Sequence, residues 1–187
     1  MRLLSYALIV AELSLISPQG SRASPSNLDK LQFIIDRSDR KLYVYRGSRL
    51  IRIHDVAVGM RGHATPLGSW AFYQVDINPD WTPPDSAWAR RSSYTPPGHP
   101  DNPMGRVRMI FHRPYTIHGT DALNSLGQAA SHGSVRIANS EAIELAEILL
   151  KEGGRWQGRY WFQTMLAYPT RMYQIRLKTP VSIQIVT

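Results

Sequence analysis

The sequence has 187 residues, of which 43% are hydrophobic and 19% are charged, a length and balance that suit one folded domain and exclude a disordered chain. The formal net charge of +8 favours an anionic partner, yet no run of five basic residues occurs, and we therefore expect no nucleic-acid partner. The absence of cysteine excludes disulfides, thiolate metal sites and catalysis by a thiol.

The N-terminal segment predicts an export signal. Arg2 precedes an apolar stretch from Leu3 to Ile16, and Ser21-Arg22-Ala23 offers small residues at the −3 and −1 positions of a signal-peptidase site. We therefore expect residues 1–23 to be a signal peptide or N-terminal leader. The alternative is a short amphipathic helix packed on the domain, since Glu12 is atypical of an export signal. The stretch is too short and too interrupted to predict a stable membrane span.

Three strands are predicted next. Leu31–Asp36 and Lys41–Tyr45 are rich in aromatic and β-branched residues and are separated by turn residues, which is typical of a hairpin. A third strand is expected over Leu50–Val58, so the sheet begins as an antiparallel one. The alternation of apolar residues changes phase near His54–Asp55, which predicts a bulge there.

The middle of the chain predicts strands on either side of a long loop. Ser69–Val75 precedes the loop, and Val107–Phe111 and Pro114–His118 follow it. Residues 78–103 are rich in proline and lack periodicity. A loop of this length inside a compact domain is typical of a functional lid or binding loop.

The last part of the chain predicts a helix over Ser140–Lys151, with apolar residues on one face. Asn139 or Ser140 is expected to cap its start, and Gly153-Gly154 to end it. A second face carries three glutamates, which is more typical of a solvated surface than of a metal site: Glu141, Glu144 and Glu147. A short helix and two strands are expected to complete a mainly β fold, at Tyr160–Leu166, Met172–Leu177 and Val181–Ile185.

The residue types that suit chemistry lie in two short segments, His118-Gly119-Thr120 and Ser131-His132-Gly133-Ser134-Val135-Arg136. A serine near a histidine is typical of a nucleophile and its base. Gly133 would let a substrate approach the backbone, and the amide of Ser134 would help to bind an oxyanion. Arg136, on the same side of a strand as Ser134, would hold a carboxylate through two hydrogen bonds.

Each of these residues also has a purely structural interpretation. His-Gly-Thr is usually a turn, an isolated histidine is often a hydrogen-bonded structural residue, and a serine after glycine is most often a turn residue. Arg136 would then be a surface charge. The residue types alone leave both interpretations open.

The order of the motifs resembles the L,D-transpeptidase (YkuD-type) catalytic domain family. IHGT at Ile117–Thr120 is followed by SHGSVRIAN at Ser131–Asn139, where the family has Ser-His-Gly-Cys-[Ile/Val]-Arg. Further segments match in order, at Val58–Trp70, Asn78–Pro84 and Pro96–Met109. The resemblance covers roughly Leu31 to Val186, which gives an expected domain at 31–186.

The resemblance implies a single β-sandwich-like domain with a few helices, and an active site in a cleft under a lid. It also implies acyl transfer through an acyl-enzyme on peptidoglycan peptide stems, in cell-wall crosslinking or remodelling, by an exported protein of the periplasm or cell wall. His118 matches the general base and Ser134 the position of the nucleophile. The expected surrounding shell consists of Gly119, Thr120, Ser131, His132, Gly133 and Arg136. No metal and no organic cofactor are implied, and the oligomeric state is left open.

Ser134 departs from the family pattern, which has a cysteine nucleophile. A cysteine is partly thiolate at neutral pH, whereas a serine hydroxyl is hardly ionised and depends on a base and an oxyanion hole. Three explanations stay open: an engineered inactive variant, a natural non-catalytic homologue, or a site adapted to serine. The alternative to an enzyme is therefore a non-catalytic module that binds peptidoglycan stems. A basic interaction protein that keeps only the fold is a third hypothesis.

Overall fold

The computed structural model describes residues 29–187, so the leader predicted at 1–23 lies outside the described residues. The described chain folds into strands β1 (Leu31–Asp36), β2 (Lys41–Arg46), β3 (Arg49–Asp55), β4 (Val58–Gly59), β5 (Gly68–Ile77), β6 (Val107–His112), β7 (Tyr115–Thr120), β8 (Ala129–Ser131), β9 (Val135–Ala138) and β10 (Tyr173–Val186). Two helices accompany them, α1 (Asn139–Glu152) and α2 (Arg159–Ala167). Neither helix of this described part has the length and apolar character needed to cross a membrane.

Eight of the strands form one mixed sheet, in the order β3-β2-β1-β10-β5-β6-β7-β9, while β4 pairs with β8. The first three strands are antiparallel, as predicted, but β1 runs parallel to β10 and β7 runs parallel to β9. The mainly β fold class is confirmed. The parallel pairing of β7 with β9 matters most for function, since each strand carries one of the two motif segments.

Helix α1 packs across β5, β6, β7, β9 and β10 and holds the site strands in place. The apolar residues on its inner face, among them Leu145 and Leu149, are fully buried. Ile117 of β7 and Met109 of β6 are register partners and are also fully buried in the same core. Since burying a leucine side chain contributes about 1.5–3 kcal/mol, this packing is a main reason why β7 has a fixed position.

The third strand differs from its prediction. The irregularity in its pairing lies at Ile51, where β3 carries one residue more than β2, and the strand ends at Asp55. The bulge predicted at His54–Asp55 is therefore wrong. The change of phase instead marks the point where the chain leaves β2 for a new partner: Ala57, two residues after β3, exchanges two backbone hydrogen bonds of 2.9 Å with Arg136 of β9.

The start of α1 also differs from its prediction. The N-cap residue is Ala138, and the side chains of Asn139 and Ser140 cap nothing. The amide of Asn139 instead accepts the backbone N–H of Arg106 at 2.8 Å and donates to Asp121 at 2.7 Å. The predicted N-cap is wrong because this side chain ties α1 to the end of the long loop.

The structure also adds detail to two other predictions, the C-terminal strands and the glutamate face of α1. The two strands predicted at the C-terminus form one strand, β10, interrupted by a register shift between Arg176 and Val181. The glutamates of α1 contact neighbouring cationic or titratable groups. The pairs are Glu141 with His54 (3.0 Å, without hydrogen-bond geometry), Glu144 with Arg52 (2.6 Å) and Glu147 with Lys151 (2.5 Å).

Candidate active site

The two motif segments lie side by side because β7 and β9 are parallel neighbours. His118 is the register partner of Arg136, and paired residues of adjacent strands present their side chains to the same face. Ser134 immediately precedes β9, and its Oγ accepts the backbone N–H of Thr116 at 3.2 Å. Thr116 lies two residues before His118 on β7. The structure thus brings the three residues to one pair of neighbouring strands, with His118 and Arg136 in paired positions and Ser134 just before β9.

The side chain of His118 is buried and held in one orientation. Its Nδ1 lies 2.9 Å from the carbonyl oxygen of Gly119, and since a carbonyl only accepts, Nδ1 carries the proton in the neutral ring. Nε2 then keeps a free lone pair. Burial lowers the pKa of His118 to about 4, and Arg136 and Arg108 act in the same direction. The imidazole is therefore neutral at pH 7 and able to accept a proton, although the resulting cation would be disfavoured.

The turn before Ser134 is fixed by its own hydrogen bonds. The hydroxyl of Ser131 donates to the carbonyl oxygen of Ser134 and accepts the N–H of Gly133 at 3.1 Å. Gly133 has a φ of +112°, and a Cβ built there would lie 2.6 Å from the ring of Tyr115. Only glycine fits this position without strain. With the N–H of Gly133 engaged, the N–H of Ser134 is this turn's candidate oxyanion donor.

Two arginines flank His118, with different partners. Arg108 binds the fully buried carboxylate of Asp76 at 2.8 and 2.9 Å, so its charge is largely balanced. Arg136 is half-buried and forms no ion pair with any residue that the structure describes, and burial lowers its pKa. A guanidinium remains protonated at neutral pH even so. It is the candidate receptor for an anionic group of a ligand.

Gly119 and Thr120 lie further from the nucleophile position. The carbonyl of Gly119 orients His118, and a Cβ at Gly119 would lie 2.2 Å from Asn139 Oδ1. The hydroxyl of Thr120 accepts the N–H of Ala122 at 3.2 Å, at the end of β7. The structure therefore connects Gly119 to the base but does not bring Thr120 to Ser134.

The long loop over residues 78–103, from here on the lid, reaches the turn before Ser134 through an aromatic contact. The ring of Trp88 stacks on His132 with centroids 3.9 Å apart and an angle of 9° between the planes. The ring of His63 meets the ring of His132 edge-on, with centroids 4.8 Å apart. Burial, His63 and Arg136 together lower the pKa of His132.

Sequence reasoning missed several of these residues. Asp76 and Arg108 carried a readable signal, a charged residue inside an otherwise apolar strand, in QVDI and VRMI. Trp88 and His63 carried none, because their contact with His132 joins distant parts of the chain.

A family model described as YkuD, the L,D-transpeptidase catalytic domain, matches residues 31–183. Among curated proteins, the "Probable L,D-transpeptidase YbiS" of Escherichia coli strain K12 is 32% identical over 123 residues, which are 61% of this chain and 40% of that protein. The "Probable L,D-transpeptidase ErfK/SrfK" of the same strain is 30% identical over 117 residues, with shares of 58% and 37%. The chain thus spans about two fifths of the length of these relatives.

Solved structures agree with the fold. An L,D-transpeptidase from Mycobacterium smegmatis has a TM-score of 0.54 at 11% identity, covering 84% of this chain and 59% of that one. L,D-transpeptidase 3 from Mycobacterium tuberculosis has a TM-score of 0.53 at 10% identity, covering 84% and 61%. At these identities the similarity concerns the fold alone.

Proposed function

The chain belongs to the L,D-transpeptidase catalytic domain family, and from this premise we propose that it transfers the acyl group of a peptidoglycan peptide stem through an acyl-enzyme on Ser134. The observation that carries the proposal is the parallel pairing of β7 with β9. This pairing supports the proposal because it gives neighbouring strands a buried, neutral imidazole on β7 and a hydroxyl just before β9. The anionic wall polymer also suits a chain with a net charge of +8.

The proposed chemistry uses each residue in one role. Ser134 Oγ attacks the carbonyl carbon of the donor stem while Nε2 of His118 takes the hydroxyl proton. A carbon–oxygen bond forms, the stem's carbon–nitrogen bond breaks, and His118 returns the proton to the departing amine. The N–H of Ser134 stabilises the oxyanion. An incoming amine then forms a carbon–nitrogen bond with the acyl carbon, the ester carbon–oxygen bond breaks, and His118 carries one proton from the incoming amine to Ser134 Oγ.

Arg136 is proposed to bind a carboxylate of the donor stem. Its guanidinium is half-buried beside His118 and has no carboxylate partner within residues 29–187. A partly desolvated cation gains more from an anionic ligand than an exposed one does, because solvent screens it less. The carboxylate would also fix the scissile carbonyl relative to Ser134.

Serine makes this a slow catalyst. A hydroxyl ionises far less readily than a thiol, so its proton must be removed during the attack. The base that removes it has a pKa of about 4, and two arginines disfavour its protonated form. The same observation favours a second function, a non-catalytic module that binds peptidoglycan stems without cleaving them.

The two functions are separated by one set of assays. Native protein, Ser134→Cys and Ser134→Ala are incubated with disaccharide-tetrapeptides, and the products are identified by mass spectrometry. We expect crosslinked or trimmed stems from the native protein, at least about tenfold more from Ser134→Cys because of its thiolate, and none from Ser134→Ala. Products from Ser134→Cys alone would favour the binding module, and none from any form would reject catalysis at this site.

Binding is measured separately, as the affinity of each form for the same muropeptides. Arg136→Ala should weaken it, whereas Arg113→Ala, which removes an exposed arginine at the turn between β6 and β7, serves as the matched control. Equal affinity for the two variants would remove the proposed role of Arg136, and no affinity for any form would remove the stem-binding hypothesis.

We also propose that the protein acts in the bacterial envelope, in the periplasm or cell wall. The export signal predicted at 1–23 and the basic charge support this location. Fractionation of cells that produce the protein tests it, and recovery in the cytoplasmic fraction alone would contradict it.

A further inference from the structure

The lid is fixed at both of its ends. At one end, Asn78 donates its side-chain amide to carbonyls in the last turn of α2 and beyond it at 2.8–3.2 Å; three residues after the other end, the backbone N–H of Arg106 donates to Asn139 at 2.8 Å. Further in, Trp81 and Thr95 exchange two backbone hydrogen bonds of 2.9 Å. Movement of the lid with these anchors intact is therefore confined to the segment between them, which contains the 3₁₀ turn Ala87–Ala89.

The middle of the lid meets the nucleophile's turn through Trp88. Its ring lies flat on His132, and 39% of its surface remains exposed. His132 lies two residues before Ser134, in the turn that Ser131 and Gly133 hold rigid. The stack thus covers the side chain of His132 with one exposed ring, carried by the segment between Trp81 and Thr95.

A side chain that covers the turn before Ser134 would limit the access of water to an acyl group on this residue. The acyl-enzyme is an ester between the stem's acyl carbon and Ser134 Oγ, and it has two fates. An amine forms an amide with the acyl carbon, or water forms a carboxylic acid; in both cases the ester carbon–oxygen bond breaks and a proton returns to Oγ. Closure of a lid excludes water from reactive intermediates.

We propose that Trp88, by stacking on His132, sets how the acyl-enzyme divides between transfer to an amine and hydrolysis. The inference rests on the proposed acyl transfer by Ser134. Trp88 is a specificity-determining residue in this scheme, while His118 and Ser134 carry out the chemistry.

The test measures a ratio of products. Native and Ser134→Cys proteins receive a disaccharide-tetrapeptide donor with excess stem that carries a free side-chain amine, and mass spectrometry gives the ratio of crosslinked dimer to trimmed tripeptide. Trp88→Ala should lower this ratio about twofold to tenfold, the factor that corresponds to the loss of an aromatic stack. Trp88→Phe should keep most of the native ratio. Tyr94→Ala removes another lid aromatic, 55% exposed, and should leave the ratio unchanged.

The outcomes separate this inference from the proposed function. Products in an unchanged ratio from a folded Trp88→Ala protein overturn the inference alone, since a merely structural role would lower both products together. No product from any form, Ser134→Cys included, rejects the proposed function and the inference with it. Should Trp88→Ala not fold, NMR of the native protein decides: ring protons of His132 shifted upfield by Trp88 support the stack, and unshifted protons overturn it.

Discussion

Replacement of His118 by glutamine should remove a large part of the protein's sensitivity to acid. The pKa of His118 is about 4 in the folded protein and 6.5 in an unfolded chain, because folding buries the imidazole. As the pH falls below 6.5, His118 takes up a proton in the unfolded chain but stays unprotonated in the folded protein until the pH nears 4. Stability from this group is therefore fully present above pH 6.5 and is lost as the pH falls towards 4.

The size of the loss follows from the two pKa values. At about 1.4 kcal/mol for each pKa unit, the full lowering from 6.5 to about 4 corresponds to about 3–4 kcal/mol, of which about 3 kcal/mol is reached by pH 4. Glutamine cannot be protonated, so the His118→Gln protein should lose about 3 kcal/mol less than the native protein between pH 7.5 and pH 4. All other groups titrate in both proteins and cancel in the comparison.

Urea unfolding at the two pH values measures the four free energies of unfolding. His99→Gln provides the control, since the imidazole of His99 lies in the lid and is 46% exposed, and this variant should keep the native acid sensitivity. An equal loss of stability in the native and His118→Gln proteins would refute the reasoning, because it would mean that burial does not hold this imidazole neutral.

Three further predictions concern the supports of the site. Gly133→Ala should lower the free energy of unfolding by about 1–3 kcal/mol, because φ is +112° and the new Cβ would meet a tyrosine ring at 2.6 Å; Gly127→Ala, with positive φ but open space, should cost less in the same urea assay. Leu149→Ala should cost about 2–5 kcal/mol in urea unfolding, since the side chain is fully buried between α1 and the sheet, and a loss below 1 kcal/mol would contradict this packing. Asp76→Asn should cost about 3–5 kcal/mol by leaving Arg108 half-paired in the interior, and unchanged thermal unfolding would argue against a buried ion pair.

Local patterns predicted most of the secondary structure. The alternation in Leu31–Asp36 gave β1 with its bounds, and the apolar face of Ser140–Lys151 gave α1 to within one residue at each end. These patterns are local because side-chain direction repeats every two residues in a strand and every 3.6 in a helix. The predictions failed where a residue distant in sequence determines the contact that a side chain makes. Asparagine is a favourable N-cap residue, yet the amide oxygen of Asn139 accepts the backbone N–H of Arg106, 33 positions away in sequence.

In the site, too, local patterns indicate the residues but not the contacts between distant parts of the chain. The residue types and the motif order indicated His118 and Ser134 as partners, but nothing local predicts that β7 and β9 run parallel, which is what places them together. Asp76 carries a local signal that was missed, a charge in an apolar strand, whereas its ion pair with Arg108 depends on the register between β5 and β6. The stack of Trp88 on His132 depends on how the lid folds back, which has no periodic signal in the sequence.

The basicity of His118 links binding to chemistry in this site. Proton transfer from an ordinary thiol with a pKa near 8.5 to a base of pKa about 4 would cost about 6 kcal/mol, and transfer from a hydroxyl would cost more. Part of that cost comes from Arg136, whose positive charge lowers the pKa of His118. A carboxylate bound to Arg136 would offset that charge and raise the pKa of His118 again. A donor stem held by Arg136, as proposed, would therefore strengthen the base at the moment when Ser134 must lose its proton, and the free site would stay unreactive.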